Sequence, residues 1–232
     1  MARRPGSFEE LENLFASLAS PGIRPGLDRI SRLLRLVGNP QNDFPAVHIV
    51  GTNGKGSTAA FSESILRESG YRTALYTSPH LESPQERLTF RGEPVSLEKW
   101  VEAVETIGDA MNTDPVLKND PPTFFELVTA AAFLLCSGSG TEIAVVEAGL
   151  GGRLDATNLL GRVVLTLAAS ISMDHMDFLG DTLEKIALEK FAVARKNIPF
   201  IFSGDPPSLN GLFRQIASDA GSLPMIVHEN TS

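Results

Sequence analysis

A short apolar run, a glycine-rich turn and a helical segment follow one another directly at residues 46–68. The run Ala46–Val50 contains β-branched residues, which favour a strand, and it ends at Gly51. A helical pattern extends from about Lys55 to Glu68, and a second apolar run covers residues 73–77. This order predicts a βαβ unit, in which a helix connects two parallel strands.

The same alternation of strands and helices continues along the chain. We predict further strands at 142–147, 162–167, 198–202 and 224–227, and helices at 96–112, 121–136, 181 onward and 208–219. The strands are continuous apolar runs, which is typical of strands buried on both faces. The predicted fold is therefore α/β, a P-loop-type, mostly parallel sheet covered by helices on both faces.

Two amphipathic helices precede this unit and form a helical lead-in at about residues 7–38. Ser7 and Glu10 have the spacing of a capping box at the start of a helix over 7–19. The second helix begins near Leu27 and is expected to end at Gly38. Residues 78–95 are predicted to be a long polar connection, of a length that favours a functional loop.

Charge and length restrict the function classes. The 232 residues fit one large domain, and the net charge of −8 argues against a broad nucleic-acid footprint or a polybasic membrane contact. Residues 1–10 contain no apolar stretch typical of a signal peptide, and the longest apolar run has ten residues, whereas a spanning helix needs about twenty. The one cysteine, Cys136, is expected to be buried and reduced, so we expect a cytoplasmic protein.

The turn after the first strand is a candidate anion site. Its glycines let backbone N–H groups face a phosphate, the following helix adds partial positive charge, and Lys55 adds a full charge. It departs from the strict P-loop pattern, because Ile49 replaces the first glycine and Gly56 separates the lysine from Ser57. We expect ATP or GTP as the ligand, and an ordinary glycine turn is the alternative.

Other polar residues are expected at the same edge of the sheet, because each follows a predicted strand. Ser78 and His80 follow the second strand and could simply start a loop. Glu147 ends a strand where a Mg²⁺ ligand is expected beside a phosphate loop, although it could be a solvated carboxylate. His175 lies among aspartates and could bind metal, pair with a charge or be structural. Lys190 is predicted to lie on an exposed, salt-bridged helix face.

Four segments together resemble one known family. Residues 51–57, 76–81, 147–158 and 174–184 are similar in content and order to the folylpolyglutamate synthase and dihydrofolate synthase family of the Mur ligase superfamily. The resemblance extends from about residue 26 to residue 227. It implies the Mur ligase central fold, with residues 1–232 forming the ATP-binding domain and the family's carboxy-terminal domain absent.

The resemblance implies roles for individual residues. The residues matching the ATP loop are Thr52, Asn53, Gly54, Lys55, Gly56 and Ser57; those matching magnesium ligands are Ser78, Glu147 and His175; those matching the pterin contacts are Leu154, Asp155, Ala156 and Thr157. Lys190 matches a lysine that is carbamylated in the family, and with Lys55 and His175 it completes the expected catalytic set. Phe191 departs from the small residue that the family carries after this lysine. The segments 86–88 and 91–94 match a mobile loop near the folate site.

The implied reaction is ATP-dependent amide formation with Mg²⁺. The γ-phosphoryl group of ATP passes to a carboxylate of folate or dihydropteroate, and the amino group of L-glutamate attacks the acyl phosphate. All partners would be small molecules, and a monomer is expected by analogy. Two alternatives stay open: a nucleotide-binding fragment without ligase activity, and a Mur ligase of peptidoglycan synthesis that acts on UDP-sugar substrates.

Overall fold

The central element of the computed structural model, which describes residues 4–227, is one eight-stranded sheet. Its strands are β1 (Ala46–Val50), β2 (Thr73–Tyr76), β3 (Leu88–Phe90), β4 (Glu93–Pro94), β5 (Ile143–Glu147), β6 (Val163–Ala168), β7 (Pro199–Phe202) and β8 (Leu223–Ile226). The order across the sheet is β4-β3-β2-β5-β1-β6-β7-β8. Strands β2, β5, β1, β6, β7 and β8 pair in parallel, whereas β3 pairs antiparallel with β2 and β4. The prediction of a mostly parallel sheet is confirmed.

Helices pack on both faces of this sheet. They are α1 (Phe8–Leu18), α2 (Asp28–Leu36), α3 (Lys55–Glu68), α4 (Leu97–Thr113), α5 (Pro115–Asn119), α6 (Phe124–Gly138), α7 (Met176–Leu179), α8 (Leu183–Phe191) and α9 (Asn210–Asp219). Side chains alternate along a strand, so Val47 and Ile49 of β1 share one face, and they pack with Ala59 of α3. Ala46 and Val50 point to the other face, where they join clusters built with α1, α2, α4 and α6 and with α8 and α9.

The helical lead-in forms as predicted. Ser7 caps α1 by accepting a hydrogen bond from the Glu10 backbone N–H at 3.1 Å, and Leu27 is the N-cap of α2. Both helices contribute buried residues to the cluster that α4 and α6 complete. The capping box of α6 also forms, since Thr123 and Glu126 bond each other's backbone N–H groups. Cys136 is buried, and its burial raises the pKa of the thiol.

Some local predictions were wrong. The segment 78–95 is not only a loop: it contains a 3-10 turn and strands β3 and β4, because buried Leu88 adds to the core beside β2. Helix α8 begins at Leu183 rather than at the predicted position 181, because the Thr182 hydroxyl caps it, while the Asp181 carboxylate pairs with Lys185 at 2.7 Å. Helices α5 and α7 were not predicted, because segments of five and four residues are too short to show a period.

No helix within residues 4–227 combines the length and the apolarity needed to span a bilayer. Residues 1–3 and 228–232 lie outside the described part of the chain.

Candidate active site

The glycine loop, residues 51–57, turns the chain from β1 into α3. Gly54 is the N-cap of α3 and has a left-handed backbone with φ of 80°, which glycine adopts at no steric cost. Helix α3 begins at Lys55, so the free N–H groups of its first turn and its partial positive charge are directed at the space above the loop. An anion placed there would meet donors and charge without further rearrangement.

The loop is held against the segment that follows β6. The Thr52 backbone N–H donates to the Ser170 carbonyl at 2.8 Å, and its hydroxyl donates to the Ser172 carbonyl at 3.1 Å. The Asn53 amide donates to the Ser172 hydroxyl at 3.1 Å. Gly51 has φ of 145°, and a Cβ there would lie 2.9 Å from Cβ of Ala169, so the close contact requires glycine. Thr52 and Asn53 therefore shape the loop.

Two lysines reach the glycine loop. Lys55 Nζ donates to the Thr52 carbonyl at 3.1 Å, a neutral acceptor within the loop itself. Lys190 approaches from the end of α8, and its Nζ donates to the Gly51 carbonyl at 2.8 Å. Lys190 is only 2% exposed, which overturns the prediction that it lies on an exposed, salt-bridged face. Burial and the charge of Lys55 lower the pKa of the Lys190 ammonium to about 8.

The packing around the end of α8 explains why Lys190 is buried. A Cβ on Gly152 would lie 2.8 Å from the Glu189 carbonyl oxygen and 3.0 Å from that of Lys190, so this glycine lets the 149–152 loop close over the helix end. The Phe191 ring packs against Phe200, Phe202 and Phe213 of the adjacent core. The bulky residue after Lys190 thus fills the core next to β7.

Glu147 connects the glycine loop to Ser78. Its carboxylate accepts a hydrogen bond from the Ser78 backbone N–H at 3.2 Å. A Cβ on Gly56 would lie 3.6 Å from Oε2 of Glu147, so the carboxylate faces the first turn of α3. Glu147 is 6% exposed, and burial raises the pKa of its carboxyl, while the Ser78 N–H and the Lys55 charge act in the opposite direction.

The pair of Ser78 and Glu147 fits a bound Mg²⁺ ion. The Ser78 hydroxyl is buried and has no hydrogen-bond partner among the described residues. Mg²⁺ typically takes one or two protein oxygens and completes its shell with water and phosphate oxygens. Within residues 4–227 no group of three or more His, Cys, Asp and Glu side chains that could hold a metal ion is found.

A cavity of about 490 Å³ opens beside Ser78, and its volume suits a small organic molecule. Its lining combines apolar and aromatic surface with a few polar groups. The lining residues used below are Ser78, Arg87, Phe124, Phe125, Leu154, Asp155, Ala156, His175 and Phe178. Ser78 therefore belongs both to this cavity and to the contact with Glu147.

Asp155 forms one wall of the cavity and is fixed by hydrogen bonds from its own segment. Its Oδ2 accepts from the Leu150 N–H at 2.8 Å, and its Oδ1 accepts from the Thr157 N–H at 2.9 Å. Leu154 and Ala156 line the cavity with Asp155. Thr157 is fully buried behind this wall and does not line the cavity. Burial raises the pKa of the Asp155 carboxyl, although each of these bonds opposes the shift.

His175 also lines the cavity, from the loop that follows β6. It is the N-cap of α7, with a left-handed backbone at φ of 47°, and its side chain is 49% exposed. Its Nε2 lies 3.5 Å from a carboxylate oxygen of Asp174. The structure thus places His175 and Ser78 around one cavity, and the metal-ligand role of His175 stays a prediction.

Sequence reasoning missed several residues of the cavity. Phe124 and Phe125 lie at the start of α6, and the Pro-Gly-rich segment 22–26 joins α1 to α2. Arg87 was not missed, because it belongs to the segment 86–88 that matches the family's loop near the folate site. It is buried, with its guanidinium 5.6 Å from the centre of the Phe124 ring and its Nε donating to Nδ1 of His80 at 2.8 Å. The aromatic pair directly after the Thr123 cap was the available signal, because it interrupts a polar stretch at an expected helix start.

Comparison with known proteins gives one consistent result. The chain is 38% identical over 197 residues to the dihydrofolate synthase/folylpolyglutamate synthase of Bacillus subtilis, covering 84% of this chain and 46% of that protein. It is 41% identical over 186 residues to the probable dihydrofolate synthetase of Schizosaccharomyces pombe, covering 78% of this chain and 43% of the relative. No protein-family model that was searched matches the chain.

Solved structures agree with these relatives. Escherichia coli FolC in complex with DHPP and ADP superposes with a TM-score of 0.85 at 31% identity, covering 97% of this chain and 51% of that chain. An FPGS complex with AMPPCP and folate gives a TM-score of 0.87 at 29% identity, covering 95% of this chain and 54% of that one. The chain thus spans about half the length of the proteins it matches.

Proposed function

Because the chain is homologous to the amino-terminal halves of folylpolyglutamate and dihydrofolate synthases, we propose that residues 1–232 form the ATP-binding domain of an ATP-dependent amide ligase. The reaction joins the amino group of L-glutamate to a carboxylate of folate or dihydropteroate. The γ-phosphoryl group of ATP is transferred to that carboxylate and ADP leaves. The amine then attacks the acyl carbon, phosphate leaves, and the nitrogen loses a proton.

One observation supports this proposal most directly: Glu147 faces the glycine loop on one side, and on the other it accepts a hydrogen bond from Ser78, which lines the cavity. A nucleotide over the loop and an organic acid in the cavity would meet at this point. Transfer of a phosphoryl group depends mainly on such positioning and on charge neutralisation, so an arrangement without a protein nucleophile is sufficient.

The glycine loop is proposed to bind the ATP phosphates through residues 52–57. The N–H groups at the start of α3 donate to phosphate oxygens, and Lys55 exchanges the Thr52 carbonyl for one of them. That exchange replaces a neutral acceptor by a charged one and therefore strengthens the hydrogen bond. The lysine charge also opposes the negative charge that develops on the transferred group.

Ser78 and Glu147 are the residues proposed to hold Mg²⁺, with His175 as a further ligand from the same cavity. When bound, the ion supplies positive charge that neutralises phosphate oxygens. Burial raises the pKa of the Glu147 carboxyl, and the Ser78 N–H and the nearby charge of Lys55 oppose that shift by favouring the ionised form.

The cavity is proposed to bind the pterin end of the substrate. Phe124, Phe125 and Phe178 provide aromatic surface on which a flat ring can stack. Leu154, Asp155 and Ala156 form the wall beside it, and Thr157 supports that wall from behind. This differs in detail from the expectation that all four residues touch the substrate.

Lys190 is proposed to carry a carbamate. Carbamate formation uses the neutral amine, and a pKa of about 8 places a substantial neutral fraction at physiological pH. The new group would be held close to the Gly51 carbonyl, under the glycine loop. Phe191 does not oppose this, because its ring packs into the core on its own side of α8.

The partners proposed are ATP, L-glutamate and the pterin acid. The net charge of −8 does not favour nucleic acid, and we propose a monomer that acts in the cytoplasm. Size-exclusion chromatography with light scattering tests the monomer: a mass near 24.9 kDa supports it, and a stable dimer contradicts it.

The direct test compares ATP binding with ATP-dependent incorporation of labelled glutamate into dihydropteroate and into tetrahydrofolate. Ligation by the complete gene product supports the proposal, and the preferred pterin identifies the substrate. Binding of ATP without ligation by the 232-residue chain would favour the reading as a nucleotide-binding fragment. Ligation of a UDP-sugar substrate, with no turnover of either pterin, would contradict the assignment.

A further inference from the structure

His48 is a fully buried polar side chain in the middle strand of the parallel sheet. It lies between Ala46 and Val50 on one face of β1, and its neighbours across the sheet are Val146 of β5 and Thr166 of β6. An apolar side chain could fill this buried position by packing alone, without a hydrogen-bond partner. A buried imidazole is costly unless it is hydrogen-bonded, so its partner matters.

That partner is Thr157, which leads directly to the cavity wall. Nε2 of His48 lies 2.8 Å from the Thr157 hydroxyl oxygen, and the same hydroxyl lies 2.5 Å from Oδ1 of Asp155. Asp155 also accepts hydrogen bonds from the Leu150 and Thr157 N–H groups, so its carboxylate acts only as an acceptor in these contacts. This arrangement serves an ionised carboxylate, which can only accept.

The hydrogens along this chain can be assigned by counting. When Asp155 is ionised it accepts the one hydrogen of the Thr157 hydroxyl, and the hydroxyl oxygen then accepts from His48. With an ionised Asp155, this requires the neutral His48 tautomer that carries its hydrogen on Nε2. Its Nδ1 is buried without a partner in the described part of the chain, as a bare acceptor nitrogen would be. Burial and the nearby charge of Arg195 lower the pKa of His48 to about 3, so the ring stays neutral.

We propose that His48 is a positioning residue for the substrate cavity: its Nε2–H fixes the Thr157 hydroxyl, which in turn holds the Asp155 carboxylate in its orientation at the cavity wall. His48 and Thr157 do not line the cavity, so they act only through Asp155. The consequence for substrate depends on the proposed function, whereas the ordering of Asp155 does not.

The first test measures protonation states by NMR in the protein without any ligand. In the ¹⁵N spectrum of the protein, His48 should show the neutral Nε2–H tautomer from pH 5 to pH 9. In His48→Leu the Thr157 hydroxyl loses the donor that orients it, and the titration midpoint of the Asp155 carboxyl should rise. An Nδ1–H tautomer, or an Asp155 midpoint identical in wild type and His48→Leu, would overturn the proposal.

The second test is a double-mutant cycle on ligand binding by the complete gene product. His48→Leu and Thr157→Val should each weaken binding of the pterin acid about fivefold to tenfold, the range expected for one hydrogen bond, and the double variant should be no weaker than Thr157→Val. ATP affinity should be unchanged. His48→Gln, which can keep a donor, should recover part of the loss.

Thr166→Val is the matched control, because Thr166 is buried opposite His48 and its hydroxyl has no partner among residues 4–227. It should bind both ligands as wild type does. Additive losses in the cycle, or equal losses of ATP and pterin affinity, would show a merely structural histidine and refute the inference. A wild type that binds no pterin refutes the proposed function instead, and the Asp155 titration then decides the role of His48.

Discussion

The glycine loop and the cavity beside Ser78 lie at the same edge of the sheet but are constructed in opposite ways. The loop is one continuous stretch, 51–57, and it offers mainly backbone N–H groups and the start of a helix. The cavity is lined by side chains from separate stretches of the chain, among them 22–26, 123–126 and 149–156. A site made from contiguous backbone can tolerate different neighbours, whereas a site made from distant side chains depends on the whole fold.

This contrast indicates which region determines ligand specificity. Backbone donors and a helix terminus recognise any phosphate group, so the loop determines the class of ligand. The aromatic rings and the fixed carboxylate of Asp155 can distinguish one organic acid from another. If this division is correct, substitutions in one region should change one affinity and leave the other intact.

Lys55→Ala should produce the largest effect. Loss of its charge from the glycine loop should weaken ATP binding by at least about a hundredfold and abolish ATP turnover by the complete gene product. Binding of the pterin acid should not change. Lys99→Ala, an exposed lysine on α4, is the matched control and should behave as wild type in calorimetric titrations. Normal turnover by a folded Lys55→Ala protein would contradict the assignment of the loop.

Glu147→Gln tests the residue shared by the two regions. The amide oxygen can still accept from the Ser78 N–H, so the fold should survive, but the ionic ligand is lost. We expect the Mg²⁺-dependent gain in ATP affinity to fall about tenfold or more. ATP titrations with and without Mg²⁺ measure this gain in affinity. Glu142→Gln, a substitution of an exposed glutamate, is the matched control. An unchanged Mg²⁺ dependence would remove Glu147 from the metal site.

Asp155→Asn should weaken pterin binding and leave ATP binding unchanged, the opposite of the result expected for Lys55→Ala. The Asn amide nitrogen replaces one carboxylate oxygen and cannot accept, so the hydrogen bonds from either Leu150 or Thr157 are lost and that side of the wall should lose its order. Pterin affinity should fall about tenfold and ATP affinity should be retained. Fluorescence titration with the pterin acid measures the loss of pterin affinity. Loss of both pterin and ATP affinity would mean that the two regions are not separable.

Lys190 gives a pH dependence of stability with a defined sign, rather than a change in ligand affinity. Its pKa is about 8 in the folded protein against 10.5 for a free lysine, so the unfolded chain binds more protons between these values. The free energy of unfolding therefore rises with pH in this window. The destabilisation caused by burying the charged Lys190 is fully present below pH 8. Relative to Lys190→Met, the wild type should gain about 2–3 kcal/mol of unfolding free energy between pH 8 and 10.5 in denaturant titrations. A constant difference would show that burial does not shift this lysine.

Carbamylation of Lys190 needs its own measurement. Native mass spectrometry in bicarbonate should show one added carbon dioxide in the wild type and none in Lys190→Met. Absence of that increment together with full activity of Lys190→Ala would reject the carbamate.

The two regions also differ in how far sequence alone predicted them. The glycine loop was recognisable because its spacing and its place between β1 and α3 are local properties. The burial of Lys190 was not, because it depends on a contact with Gly51 across 139 positions of sequence and on the close approach of Gly152. Helical spacing alone placed Lys190 on an exposed face, and tertiary packing overrode it.

The cavity shows the same limit. Strand ends brought Ser78 and Glu147 together as expected, since parallel strands deliver their carboxyl ends to one edge. Arg87 and the aromatic residues of α6 reach the cavity only through the packing of α6 and through the turn before β3, which were not visible as periodic patterns. The tetrad 154–157 was identified by resemblance, and the structure divides it into lining residues and buried Thr157.

A co-crystal structure of the chain with Mg²⁺, a non-hydrolysable ATP analogue and a pteroate tests the central claim most directly. We predict the nucleotide phosphates over residues 54–57, the metal against Ser78 and Glu147, and the pterin ring in the cavity beside Asp155. Phosphates bound away from the glycine loop, or a pterin bound outside this cavity, would contradict the claim that the two regions meet at Glu147.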